Sequence, residues 1–292
     1  MLRSILLTTL AMVAFAANSV LARAALVGTD INAVSYTLLR LVAAAVILVA
    51  IMALRSRPAD WRASLRVEPL SALMLFGYAL AFSLAYLRLE TGMGALILFG
   101  VVQLTMIGRG VMIGERMGVV AWVGVVTACA AFVYLVLPIS TILGGADDLT
   151  APDIIGAALM AVSGVCWGVY SLLGRGAGDP LSRTARNFVW SVPLGAAAMG
   201  GYLALGKAAS VPMDGIMFAV ASGAITSGVG YVIWYAALRG LSATQGGIVQ
   251  LSVPVIAALG GVAFVSEPLT LRLTLSVVLI LGGIAFTMVP RR

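Results

Sequence analysis

The chain has no histidine, only two cysteines among 292 residues, and a charged fraction of just 10%. Without histidine, Ser-His-Asp triads, HExxH zinc sites and histidine proton relays are excluded. Cys129 and Cys166 both sit in apolar runs, and two cysteines build neither a disulfide framework nor a cysteine-rich zinc site. Soluble domains carry about 25% charged residues, so this composition is not that of a water-soluble protein. No aspartate or glutamate stands near the middle of any long apolar run. A carboxylate that could carry protons or cations through a bilayer therefore has no evident place.

What is present is apolar surface: 62% of residues are hydrophobic and the mean hydropathy is +1.10. A spanning helix needs roughly 20 mostly apolar residues. Ten such runs are expected, at 4–22, 33–54, 70–88, 93–110, 118–138, 153–174, 185–206, 215–238, 243–264 and 270–289. The runs are continuous rather than alternating, which favours helices over a β-barrel. The predicted fold class is all-α, a polytopic membrane protein of ten transmembrane helices. The first run, between Arg3 and Ala22-Arg23-Ala24, has the look of a cleavable leader. It is expected to be a span instead, because it has a partner in the second half.

The net charge of +7 is read as loop arginine that sets orientation, not as a nucleic-acid surface. Alternate loops collect Arg3, Arg55, Arg57, Arg62, Arg66, Arg109, Arg116, Arg175, Arg183, Arg186, Arg239, Arg291 and Arg292, while the other side holds Arg23, Arg88, Lys207 and Arg272. This bias predicts both termini in the cytoplasm, with the acidic 139–152 segment outside.

The partner of the first run appears at a constant offset. Glu115 and Glu267 stand 152 apart, as do Pro138 and Pro290, Arg23 and Arg175, and Phe15 and Trp167. Ser19-Val20-Leu21-Ala22-Arg23 matches Ser171-Leu172-Leu173-Gly174-Arg175. These matches predict a duplicated five-helix unit: residues 1–138, an external linker at 139–152, and residues 153–292. An odd number of spans forces the second unit into the membrane in the opposite sense, the inverted repeat used for alternating access.

Ten spans, this repeat, and Gly114-Glu115-Arg116-Met117-Gly118 and Ser266-Glu267-Pro268-Leu269-Thr270 ahead of the last helix of each half resemble the EamA family of the drug/metabolite transporter superfamily. Within it the chain looks most like the YddG-type exporters of aromatic and other neutral amino acids. The resemblance implies a bacterial inner-membrane exporter, not an enzyme, that needs a small-molecule substrate and the lipid bilayer. It implies no cofactor, no metal, no nucleic acid and no obligate protein partner. A transporter of other drug-like or amphipathic solutes is the alternative reading, and a membrane receptor or enzyme the reading from another class.

Candidate substrate-binding residues are the polar and aromatic side chains at depth. Arg40 lies about 10 Å into the second span by helical rise. It is open to three roles: an anchor for a carboxylate, an ion pair with Asp30 or Glu90, or a side chain snorkelling to the headgroups. Asn18, Gln103, Asn187, Gln245 and Gln250 offer amides to both ends of a zwitterion, or glue between helices. Tyr78, Phe82, Phe99, Trp167, Tyr170, Trp190 and Tyr231 sit too deep for an interfacial belt, and either line a cavity or pack the bundle. Glu115 and Glu267 precede helix starts, where a carboxylate caps the helix or gates the transporter. Pro254, expected mid-span, marks a kink or hinge.

Overall fold

The protein is described here from a computed structural model covering residues 2–55, 68–114, 118–136, 153–174, 179–238 and 249–287. Among these residues every regular element is helical. In chain order they are α1 (Leu2–Gly28), α2 (Ala33–Arg55), α3 (Pro69–Tyr86), α4 (Thr91–Met112), α5 (Val119–Val136), α6 (Ile154–Leu173) and α7 (Pro180–Ala204). Then comes α8, in three continuous parts: Met213–Val220, a π-helical stretch over Ala221–Val229, and Gly230–Leu238. It is followed by α9 (Ser252–Val265) and α10 (Leu271–Thr287).

Helix starts follow side-chain chemistry. The carboxylates of Asp153 and Asp179 accept the free backbone N–H groups of Gly156 and Ser182, at 2.9 and 3.0 Å. The Asn32 side chain does the same for Ser35 at the start of α2. Pro180 follows Asp179, in the first turn, where its missing N–H loses nothing. The helix α7 accordingly begins five residues before the apolar run at 185–206, because Arg183 and Arg186 are absorbed into it by ion pairs with Glu68. Likewise α1 continues through Arg23 to Gly28, since that charge also has a partner.

By length and composition, α1, α2, α3, α4, α6 and the run Met213–Ala237 can each cross a membrane, while α5, α9 and α10 are shorter apolar helices. Small residues let the helices approach. A methyl group placed on Gly92 would stand 2.7 Å from the Ala258 Cβ of α9, and one on Gly223 would stand 2.3 Å from the carbonyl oxygen of Arg40. The helix α1 is built into the interior through buried Ala11, Ala16, Ala22 and Ala25.

The principal helix pairs are α5–α10, α3–α6, α2–α7, α4–α6, α2–α8, α1–α9, α4–α9, α1–α8 and α3–α7. This set is unchanged when each helix is exchanged for the one five places away. The pair α3–α6 becomes α8–α1, α4–α6 becomes α9–α1, α2–α8 becomes α7–α3, and the other three map onto themselves.

Candidate functional site

At the middle of the bundle α1, α3, α4, α6 and α8 surround a small cavity lined by Phe15, Asn18, Ser19, Tyr78, Phe82, Leu98, Phe99, Trp167, Thr226, Ser227 and Tyr231. Its volume is about 20 Å³, room for one water-sized group. The aromatic side chains themselves fill the centre. The Trp167 ring stacks on Tyr231 at 5.2 Å and on Tyr170 at 5.3 Å, and tilts against Tyr78 at 4.9 Å. Phe15 meets Tyr231 from the other side at 5.7 Å. Phe15 and Trp167, which share the 152-residue offset, thus flank one tyrosine.

A polar network adjoins the rings. Asn18 Nδ2 donates to the Tyr78 hydroxyl at 3.3 Å, and Asn18 Oδ1 accepts from Ser222 and Thr226 at 2.7 and 3.2 Å. Arg40 Nη2 donates to the same Tyr78 hydroxyl at 2.9 Å, and Arg40 Nε to Ser227 at 3.4 Å. The guanidinium also stands over the rings of Tyr78 and Phe82, at 5.2 and 4.9 Å. Arg40 is 1% exposed and forms no ion pair among the described residues. It therefore neither snorkels to the headgroups nor pairs with Asp30 or Glu90. The π-helical stretch widens α8 beside it and turns Ser222, Thr226 and Ser227 inward; such irregular turns recur at functional sites.

Of the residues expected at depth, Asn18, Tyr78, Phe82, Phe99, Trp167 and Tyr231 line the cavity and Arg40 adjoins it. Tyr170 lies one ring further out and holds Asn187 Nδ2 at 3.5 Å. Gln103 is buried on α4 outside the lining, and Gln250 is half-buried ahead of α9. Trp190 faces outward on α7, 38% exposed, away from the cavity. Gln245 and Glu115 fall outside the described residues. Val249 and Gln250 are helical, the run breaks at Leu251, and α9 resumes at Ser252 with Pro254 in its first turn, where the proline ring cannot tolerate the carbonyl four residues earlier.

Sequence reasoning did not single out Thr226, Ser227 or Ser222, nor Phe15 as a lining residue. The run Ala221-Ser222-Gly223-Ala224-Ile225-Thr226-Ser227-Gly228, small and hydroxylated within an apolar span, is the signal that points to the first three.

Glu267 also departs from expectation. It does not cap its own helix: α10 starts at Leu271, and Thr270 serves there, accepting from the Leu273 N–H. Both Glu267 carboxylate oxygens instead accept the Thr91 N–H at the start of α4, at 3.0 and 2.8 Å. Arg23 Nε meets Glu267 Oε1 at 3.1 Å, and Arg23 Nη1 donates to the Tyr86 carbonyl at 2.8 Å. The cluster ties α1, the α3–α4 junction and the α9–α10 junction together at one end of the bundle. At the other end a cleft of about 320 Å³ is lined by Arg3, Arg55, Asp179, Pro180, Leu181, Val232, Tyr235 and Ala236.

Three carboxyl groups outside the spans are perturbed, and the Gly156 N–H and then the Arg88 side chain hold the first, Asp153, below its usual range. Burial pushes Glu68 up, but hydrogen bonds from Arg183 and Ser71 and the charges of Arg183 and Arg186 outweigh it and hold it below the usual range. Burial, then the Glu267 charge, push Glu90 above the usual range, against the pull of Arg23. A carboxyl raised by folding binds its proton more tightly in the native state, so its effect on stability is favourable below the raised value and fades as pH climbs through it. Relative to Glu90→Gln, the wild-type protein is expected to lose thermal stability as pH rises through the window just above 4.5. Unfolding midpoints in detergent between about pH 5 and 8 check this, and parallel curves for the two proteins would reject it.

A bundle of apolar helices around a buried aromatic and polar centre defines a multi-pass membrane protein with a small-molecule site. Residues 154–289 match the EamA-like transporter family. Over 278 residues the chain is 47% identical to the uncharacterized protein PA1977 of Pseudomonas aeruginosa, an alignment covering 93% of this chain and 89% of that one. A protein solved by crystallography shares the fold, with a TM-score of 0.61 at 18% identity over 97% of this chain and 95% of the other. The chain belongs to the EamA-like transporter family, membrane transporters of small solutes.

Proposed function

We propose that this protein is an exporter of small neutral metabolites, most of all aromatic or other neutral amino acids, working by alternating access between two inverted five-helix repeats. The single observation that carries the reading is the buried centre, where the packed rings of Tyr78, Trp167 and Tyr231 adjoin the Asn18–Tyr78–Arg40 network. An aromatic or aliphatic side chain suits the rings, and the polar groups suit the substrate's charged end. The self-mapping set of helix pairs supports ten spans arranged as an inverted repeat, which lets one site face either side.

In this reading the membrane is a bacterial inner membrane with both termini cytoplasmic. The Arg23–Glu267 cluster closes the external end, and the cleft near Arg3 and Arg55 belongs to the cytoplasmic path. The repeat gives the same residue types, Arg175 and Glu115, to the other half, and we assign them the closing of the cytoplasmic end in the opposite state. With no acid at mid-depth, transport is uncoupled from protons.

The test is uptake of radiolabelled neutral amino acids into liposomes holding the protein, with and without an imposed pH gradient. Saturable uptake of an aromatic or branched amino acid that ignores the gradient is the expected result. Uptake only under a gradient would move Glu267 and Glu115 from closing contacts to coupling groups, and no uptake of any amino acid would remove the substrate assignment.

A further inference from the structure

The polar centre is unbalanced in one direction: it has donors to spare and few acceptors. Arg40 spends Nε on Ser227 and Nη2 on Tyr78, while Nη1 is buried with no hydrogen-bond partner. The Tyr78 hydroxyl oxygen already accepts from Arg40 and from Asn18. Its own hydrogen therefore remains free for a further acceptor. Asn18 Oδ1 is taken by Ser222 and Thr226, and the unpartnered buried hydroxyls of Ser19 and Tyr36 are themselves donors as well as acceptors. The buried Asn187 Oδ1 does lack a partner, but Asn187 stands beside Tyr170 on α7, outside the cavity lining.

Charge points the same way as the hydrogen bonds. The acids among the described residues are Asp30, Glu68, Glu90, Asp153, Asp179, Asp214 and Glu267, all at helix ends or in the first turn of a helix. Arg40 is thus a full positive charge, 1% exposed, with no carboxylate beside it. A site that holds one uncompensated guanidinium attracts an anionic group and repels a second cation. The aromatic faces that could hold an ammonium by cation–π attraction are also partly spent, since Arg40 itself lies over Tyr78 and Phe82.

Resting on the transporter reading above, we propose that the site recognises the substrate's carboxylate and makes no use of its amino group, so that aromatic monocarboxylates lacking an amine are substrates as well. The carboxylate takes the free Arg40 Nη1 and the Tyr78 hydroxyl hydrogen. The ring displaces Trp167 or Phe15 from the central stack, since the cavity as it stands holds only about 20 Å³. Two consequences separate this from zwitterion recognition. The amine of the same skeleton is not a substrate, and the carboxylate moves with its negative charge uncompensated, so its transport carries current.

The probes are 3-phenylpropionate, L-phenylalanine and 2-phenylethylamine, which share one ring and chain. Binding to the full-length protein is read in detergent by tryptophan fluorescence, and transport by the current across proteoliposome membranes against protein-free controls. Phenylpropionate is expected to bind as well as phenylalanine and to give a saturable current; phenylethylamine is expected to do neither. Arg40→Gln should weaken both acids by about 10- to 100-fold, the size of lost charge-assisted hydrogen bonds, and Arg40→Lys should recover part of the loss. The lysine variant guards against a folding defect in the glutamine one.

Binding of phenylalanine without binding of phenylpropionate would overturn the proposal and leave the amino acid reading intact. Binding of phenylpropionate with no flux of any probe would uphold recognition through the carboxylate alone and overturn the transport reading on which the rest of the proposal stands. Binding of phenylethylamine alone, or of none of the three, would overturn the proposal.

Discussion

Glu267→Gln is expected to unfasten the end of the bundle that Glu267 holds together. The carboxylate joins three chain segments: it pairs with Arg23 of α1 and accepts the first N–H of α4, while its own backbone turns through Ser266 in the left-handed region at φ 57°. The paired side chains are only 16% and 10% exposed, so water screens them poorly. Removing one charge of a buried pair leaves the other desolvated, an effect of about 3–5 kcal/mol. If all of it falls on the closed arrangement, the balance between closed and open shifts by about two to three and a half powers of ten, at about 1.4 kcal/mol per tenfold. Glutamine still accepts the Thr91 N–H, so the loss isolates the Arg23 charge. With Cys129 and Cys166 replaced by serine, a cysteine at Ser19, a small buried residue of the cavity wall, reports the opening. Alkylation by an impermeant reagent from the Glu267 side should be slow in the wild-type background and at least tenfold faster with Glu267→Gln. Equal rates would mean that the cluster is a static cap. Arg23→Gln should act in the same sense, and the double variant should fall well short of the sum, because the two side chains serve one contact.

Why this contact escaped the sequence is instructive. A glutamate followed by proline just ahead of a helix has an ordinary local explanation as that helix's cap, and local spacing cannot reveal that the carboxylate reaches another helix 176 residues away. Arg23 and Glu267 were nonetheless both visible as repeated positions. The helices themselves were legible because apolar runs of sufficient length have little alternative in a bilayer. Their ends were less so at α1 and α7, where charged residues continue the helix once paired. The site was partly legible for the same reason: a charge or a stack of rings at depth stands out against leucine and valine. Trp190 shows the limit: on α7 it is the polar residues Arg183, Thr184, Asn187 and Ser191 that face the interior, so an aromatic ring placed opposite them is left outside. Thr226 shows another: its hydroxyl also bonds the Ser222 carbonyl one turn back, the common local use of threonine in membrane helices, and only the π-helical turn aims it at Asn18.

The second large effect separates what Arg40 does for the fold from what it does for the substrate. Holding an arginine at the centre of a membrane helix is unfavourable by about 2.5–3.5 kcal/mol. Against this stand a charge-assisted hydrogen bond to Tyr78, worth about 1.5–3 kcal/mol, a longer and weaker one to Ser227, and cation–π contacts with Tyr78 and Phe82 of about 0.5–1 kcal/mol each, so the two sides nearly balance. Methionine, unbranched and of similar reach, fills much of the same space with no charge to desolvate. Arg40→Met is therefore expected to leave the stability of the detergent-solubilised protein within about 1–2 kcal/mol of the wild type, while uptake of every carboxylate substrate falls to the level of empty liposomes. The two readouts must part company for the argument to hold. A structural arginine would lower both together, since Tyr78, Asn18 and the π-helical turn would lose the group they are arranged around. A stable, silent variant would instead show that the charge is retained with no gain to the fold because the substrate supplies its counter-ion.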